Sequence, residues 1–404
     1  MKRIFLFSIT MLLFLFASCI NSDFFTSGKF DNWNASNPSP VIPPAGEKAG
    51  NGGSGTKESA YGEWSDIGNY NYYLGLFNTD KCFADYIGYF GFETRFMVTV
   101  NVISSEGPTG DVLVELEHSG ENLFSAKTNV NGNAYLFPSE NLNGENITIK
   151  VNGMEKQTLT YNGNPINIIL DDNVEKSSIL DLMFVIDTTS SMGDELRYLK
   201  YEFSDIIGKI KEANSEYTVN LALLFYRDTG EEYVTRYFVF TDSIEEQQKN
   251  LDKQTASGGG DFPEASDRAL AEAVGLELYQ RDGGKKSNGD KKKIKWSDNA
   301  VRLIFHVCDA PPHSDQISQS TYRSAINTAA QKGIRIIPIA SNGIAIAAEY
   351  LLRQEAIMTG GTYIFLTDYT GKTESELPHT VGAFTDESLN DCIVRVVNKY
   401  LKGN

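Results

Sequence analysis

The sequence is poor in cysteine and in positive charge. Four cysteines occur in 404 residues, one of them, Cys19, close to the start. The other three, Cys82, Cys308 and Cys392, are an odd number, which excludes a disulfide framework as the source of stability. Cys308 falls in an apolar strand pattern and Cys392 on an apolar helix face, where a thiol acts as a small hydrophobe. Lysine and arginine number 36 against 53 aspartates and glutamates, a formal net charge of −17. An acidic surface repels phosphates, so neither nucleic acid nor an anionic lipid surface is expected as a partner. Several catalytic signatures are also missing. There is no G-x-x-x-x-G-K-[ST] loop, since Gly258–Gly260 lack the following lysine, and GGGDFP is too short for a dinucleotide fingerprint. No H-E-x-x-H occurs. What remains is ordinary for globular protein, and the length suffices for two domains with real cores.

The first residues read as a targeting segment. Lys2 and Arg3 precede an apolar run from Ile4 to Ala17 that is too short for an ordinary spanning helix, followed by small residues and Cys19. Phe16-Ala17-Ser18 before Cys19 resembles a bacterial lipoprotein signal, although Leu15 stands one position further from the cysteine than is usual. The resemblance implies lipidation of Cys19 and a place in the bacterial cell envelope, at the outer membrane or cell surface, with the membrane met only through the anchor. The expected division is 1–18 signal peptide, 19–60 anchor and flexible linker, 61–93 aromatic-rich lead-in, 94–172 β-sandwich and 178–404 α/β domain. The linker's centre, PSPVIPPAGEKAGNGGSG, has too little apolar surface to offset its ordering entropy. The aromatics of 61–93, among them Tyr61, Trp64, Tyr73, Phe77, Tyr86 and Phe90, suit either a carbohydrate platform or, more simply, a packing layer.

From Arg95 to Asp172 the apolar period is two. Val98, Val100 and Val102 alternate, as do Val112, Val114 and Leu116, then Ile147, Ile149 and Val151, then Ile166, Ile168 and Leu170. Asn-Gly pairs at 131–132, 143–144, 152–153 and 162–163 punctuate them, which predicts an antiparallel sandwich. Thr128, Asn129, Gly132 and Ala134 make the stretch similar to carboxypeptidase-regulatory-like or transthyretin-like modules; the resemblance brings no catalytic residue with it.

After Lys176 strands alternate with helices: 179–187, 218–226, 233–240, 300–309, 334–340 and 362–366 are apolar strands. Leu196, Leu199, Phe203, Ile206, Ile207 and Ile210 share one helical face, and a last helix spans about Glu387 to Leu401. This alternation predicts a doubly wound, mostly parallel, Rossmann-like sheet, in which ligands bind outside the carboxyl ends of the strands. The candidate chemistry sits at such ends. Asp187, Thr189 and Ser191, spaced by two, offer a carboxylate and two hydroxyls; GGGDFPEA places Asp261 before a helix; CDAPPH places Asp309 after a strand. Each cluster alone reads as a helix cap. Three converging on one crevice read as hard oxygen donors for Mg²⁺, Mn²⁺ or Ca²⁺.

FVIDTTSSMG resembles the metal-ion-dependent adhesion site of the von Willebrand factor type A (vWA) family, D-x-[ST]-x-S, and the resemblance covers nearly all of 178–404. It implies a six-stranded vWA sheet and a metal held by Asp187, Thr189, Ser191 and Asp309. Asp261 stands where many members carry threonine, a departure that adds negative charge and weakens the metal's pull on an acidic ligand. The implied function is binding of a protein partner through a carboxylate or other oxygen donor. The alternative is a metal-dependent hydrolase or phosphoryl-transfer enzyme using the same aspartates. Against it, a haloacid-dehalogenase-like phosphatase needs a second aspartate at position 189, and Thr189 cannot serve as that acid. His306 is read as a sheet residue and His313 as a loop residue beside the crevice. The lysines at 285, 286, 291, 292, 293 and 295 suit a solvated loop or a contact for an acidic partner.

Overall fold

The computed structural model describes residues 60–79, 81–171, 174–260, 262–276, 293–340, 344, 346–367, 381–385 and 387–403. Cys19, the linker, Asp261 and four of the lysines singled out above (285, 286, 291 and 292) lie outside the described residues. The chain begins with β1 (Ala60–Trp64), α1 (Tyr70–Thr79) and α2 (Lys81–Phe90). Eight short strands follow: β2 (Val98–Ser104), β3 (Gly107–Pro108), β4 (Leu113–His118), β5 (Glu121–Lys127), β6 (Asn133–Leu136), β7 (Asn146–Val151), β8 (Met154–Thr160) and β9 (Ile166–Ile169). Then come β10 (Ile179–Asp187), α3 (Gly193–Ala213), β11 (Thr218–Tyr226), β12 (Thr235–Thr241), α4 (Ile244–Asp252) and α5 (Ser266–Ala273). The chain closes with β13 (Val301–Cys308), α6 (Gln316–Lys332), β14 (Ile334–Ala340), α7 (Ile346–Thr359), β15 (Tyr363–Thr367) and α8 (Leu389–Lys402).

One large sheet runs in the order β1-β15-β14-β13-β10-β11-β12. Its central strands are parallel, and β12 and β1 pair antiparallel at the two edges. The expected six strands are therefore seven. The added strand, AYGEW, is too short and mixed for a periodicity to stand out, and it lies in the segment expected to be only a lead-in. The strands β10, β11, β13 and β14 are buried on both faces, and the edge strand β12 is half-buried. Met183, Val185, Leu224 and Ile304 face a core shared with α5, α6 and α7, whereas Phe184, Ile186, Phe225 and Phe305 face α3 and α8. Helix ends follow local chemistry. Asp315 accepts from the backbone N–H of Ile317 and Ser318 to start α6, and Gly333, at φ 68°, ends it. Gly361 has no room for a side chain: a Cβ there would lie 1.9 Å from the Ile336 carbonyl oxygen.

The aromatic lead-in packs rather than displaying itself. Tyr73, Phe83, Phe90 and Phe92 are buried; Phe90 stacks on Tyr350 of α7 and Phe83 meets the same ring edge-on. Asp66, just after β1, takes two hydrogen bonds from the wholly buried Arg353 of α7, at 2.9 and 2.5 Å. Residues 98–169 form two four-stranded sheets, β5-β4-β7-β8 and β3-β2-β6 with β9 beside β2. The pairing is antiparallel except that β9 runs parallel to β2. Their inward valines and isoleucines join the same apolar cluster as α6 and α7. Arg302 of β13 pairs with Asp111 at 2.8 Å, and Arg335 of β14 donates to the Lys127 carbonyl at 2.7 Å. Cys308 and Cys392 are free and buried.

Candidate functional site

Because β10, β11 and β13 are parallel and in register, Asp187, Tyr226 and the residues after Val307 reach the same edge of the sheet. The chain leaves β10 in a sharp turn fixed by Asp187 itself. Its Oδ1 accepts from the Thr189 backbone N–H at 2.8 Å and from the Thr189 hydroxyl at 2.7 Å. Thr189 Oγ1 and Ser191 Oγ lie 3.3 Å apart. The D-x-[ST]-x-S spacing thus gathers one carboxylate and two hydroxyls at one place, with Met192 buried beneath as an apolar anchor.

The three segments are tied to one another through backbone. Ser190 donates through its hydroxyl to the Gly258 carbonyl at 2.7 Å, and Ser257 N–H donates to the Thr188 carbonyl at 3.0 Å. Glu264 N–H donates to the Pro311 carbonyl at 3.0 Å, joining the glycine-rich segment to the one after Asp309. Gly259, at φ 76°, lets the loop pass against the site, since a Cβ there would sit 3.0 Å from Thr189 Cβ and 3.1 Å from Glu264 Oε1.

Asp187 is fully buried and its Oδ2 has no hydrogen-bond partner among the described residues. Desolvation raises its pKa well above the usual carboxylate range, and the Asp309 carboxylate adds to the effect. Burial likewise raises Asp309, partly offset by a hydrogen bond with Ser191. Two carboxylates held close in a poorly solvated place, with hydroxyls beside them, are what a hard cation would relieve. The donor set that could hold one is Asp187, Thr189, Ser191 and Asp309. Among the described residues no group of three or more His, Cys, Asp and Glu gathers around a point, so hydroxyls would have to share the coordination. Asp261 lies outside the described residues.

Other residues near the turn carry no signal in the sequence pattern. Glu231, after β11, accepts from Gly259 N–H at 3.0 Å, and Glu264 is buried beside Thr189. Their proximity to the turn arises from loop packing, though Glu264 already stood within GGGDFPEA. Beneath the site, His306 Nε2 meets the Tyr226 hydroxyl at 3.0 Å and its Nδ1 meets Glu355 at 2.9 Å. His306 is thus a buried sheet residue, but in a polar network that Tyr322 completes by donating to Glu355. His313 pairs with Asp228 at 2.6 Å, holding the segment after Asp309 onto the end of β11.

Fold and site together define a mixed α/β protein with a mostly parallel sheet, eight helices among the described residues, and a polar crevice at the carboxyl ends of its central strands. Residues 181–277 match the von Willebrand factor A domain, and the fold is compatible with it. An ariadne-like RING finger protein from Acanthamoeba polyphaga mimivirus is 25% identical over 155 residues, 38% of this chain and 13% of that protein. Alpha-protein kinase vwkA from Dictyostelium discoideum is 21% identical over 227 residues, 55% of this chain and 33% of its own length. The chain thus spans a third or less of the length of these relatives. Among solved structures, proximal thread matrix protein 1 from the mussel byssus is similar at 11% identity and a TM-score of 0.32, covering 45% of this chain and 42% of that one. Domains of this type commonly take part in protein–protein interaction or adhesion.

Proposed function

We propose that the crevice binds one divalent cation, Mg²⁺ or a close substitute such as Mn²⁺ or Ca²⁺, and uses it to dock a protein partner. Asp187, Thr189, Ser191 and Asp309 are the proposed ligands, with Asp261 a further carboxylate that the sequence places in the second segment. The carrying observation is Asp187 Oδ2, a buried carboxylate oxygen with no hydrogen-bond partner among the described residues, next to a second carboxylate. The metal would keep a position open for an oxygen from the partner. The chain's own residues fix the donors: Thr189 orients Asp187 through two hydrogen bonds, and the backbone of Ser257 and Gly258 holds the turn in place. We assign binding rather than turnover, because the position two after Asp187 is a hydroxyl that cannot act as a general acid. The β2–β9 sheets are proposed as the sandwich-like spacer module, and the protein as an envelope lipoprotein held through Cys19, facing its partner at the outer membrane or cell surface.

Titration calorimetry on the full chain tests the centre of this proposal. Mg²⁺ or Mn²⁺ should bind at one site, and Asp187→Ala should lose that heat while keeping its circular dichroism spectrum. Unchanged binding in the variant would remove Asp187 from the site. For the anchor, Cys19→Ala should release the protein from membranes, and acyl labelling that persists in that variant would overturn the assignment.

A further inference from the structure

The charges around the crevice bear on what kind of partner it admits. The charged groups acting most strongly on Asp187 are Asp309 and Glu195, both anions. Glu195 lies in the first turn of α3, and Glu231 holds its carboxylate over Gly258 and Gly259 at the mouth. Glu264 lies beside Gly259. A divalent cation offsets two charges, which Asp187 and Asp309 already supply. Arg227, at the end of β11, is buried and directed elsewhere: it donates to the Thr255 carbonyl, pairs with Glu232 and lies over Tyr233, while Arg197, two residues after Glu195, is paired with Asp194. With the cation in place, the mouth of the crevice therefore stays negative.

We infer that the crevice selects a basic segment of its partner, one that offers the metal a neutral oxygen flanked by lysine or arginine and no carboxylate. This rests on the metal reading above and gives that site a ligand class. A carboxylate from the partner would add a further negative charge beside Glu195 and Glu231. A backbone carbonyl or hydroxyl can fill the coordination position without that repulsion, and the flanking cations then meet Glu231 and Glu195 across the mouth. Glu231 contributes mainly through charge. A glutamine there keeps an oxygen to accept the Gly259 N–H, so Glu231→Gln removes the charge without untying the loop.

Fluorescence polarisation with the full, metal-loaded chain separates the possibilities, using two labelled peptides of equal length, one of serine, lysine and arginine, the other of serine and glutamate. The basic peptide should bind more tightly than the acidic one, and lose binding on chelation and in Asp187→Ala. It should weaken as salt rises and weaken by roughly two- to five-fold in Glu231→Gln, the scale of one partly exposed charge pair. Preference for the acidic peptide overturns the inference and leaves the metal site standing. Basic-peptide binding that ignores chelator overturns it too, as surface charge without the metal. Calorimetric metal binding with neither peptide retained likewise overturns the inference. Absence of metal binding by calorimetry overturns the site itself, a result distinct from the other three.

Discussion

At the scale of single residues, buried carboxylates dominate. Asp267, in the first turn of α5, is buried, and desolvation raises its pKa to about 6 despite the nearby Arg268 and His313. A carboxyl raised in the folded state binds more protons there than in the unfolded chain. Its stabilising contribution is therefore complete below the unfolded value and is lost as pH rises through about 6. Asp267→Asn should consequently leave stability near pH 3.5 unchanged and raise it by roughly 3 kcal/mol at pH 7 to 8. Urea unfolding at the two pH values checks this, and an equal effect at both would show that charge is not the cause. Asp187 and Asp309 were legible in the sequence because their position, at a strand's end, is set by local pattern. Glu231 and Glu195 were not, since what brings them to the crevice is a loop's path and a helix's first turn, neither of which has a periodic signature.

At the scale of elements, α3 and α7 make opposite cases. The face of α3 repeats Leu196, Leu199, Phe203, Ile206, Ile207 and Ile210 at helical spacing, and all six are buried as that pattern requires. Burying such side chains contributes about 1.5 to 3 kcal/mol each before entropy is counted. Helix α7 is buried on every side, including Glu349, Arg353, Gln354 and Glu355. Arg353, Gln354 and Glu355 meet Asp66, Thr94 and His306 from other segments. Partners that distant in sequence leave no mark on the helix itself. The same holds for β1, whose place in the sheet depends on β15, some three hundred residues later. Removing one member of a buried ion pair is costly, so Arg353→Met should destabilise by about 3 to 5 kcal/mol. Adding Asp66→Asn should recover part of that loss in chemical denaturation; a fully additive double variant would show that the two residues do not interact.

At the scale of the whole molecule, the apolar cluster does not stop at the boundary that the change of rhythm near residue 176 suggests. The valines of β2, the isoleucines of β7, the aromatics of α1 and α2, and the inner faces of α6 and α7 belong to one contiguous core. Arg302 and Arg335 add polar ties from the large sheet to Asp111 and Lys127. Units that share a core should unfold together. Differential scanning calorimetry of the full chain should show one transition for the described fold, and Asp111→Ala should lower its midpoint without splitting it. A separate, earlier transition assigned to 98–169 would mean that the small sheets melt independently. Composition could not reveal this, because each segment's periodicity is satisfied by its own strands and the shared core comes from how they dock.

The direction of β1 carries a mechanical consequence. Ala60 pairs with Thr367 and Trp64 with Tyr363, so the strand enters at the sheet edge where Asp187 ends β10. Between the two lie β15, β14 and β13, a span of about 19 Å at ordinary strand spacing. Tension applied between residue 60 and anything held at the crevice runs across the strands, not along them. Hydrogen bonds loaded in that direction open one after another, beginning at Ala60, instead of resisting together. The first strand is thus the weakest link in tension. Its release would also free Glu63 from Arg395 and Lys399 of α8, passing a pull on residue 60 into the helix behind the sheet.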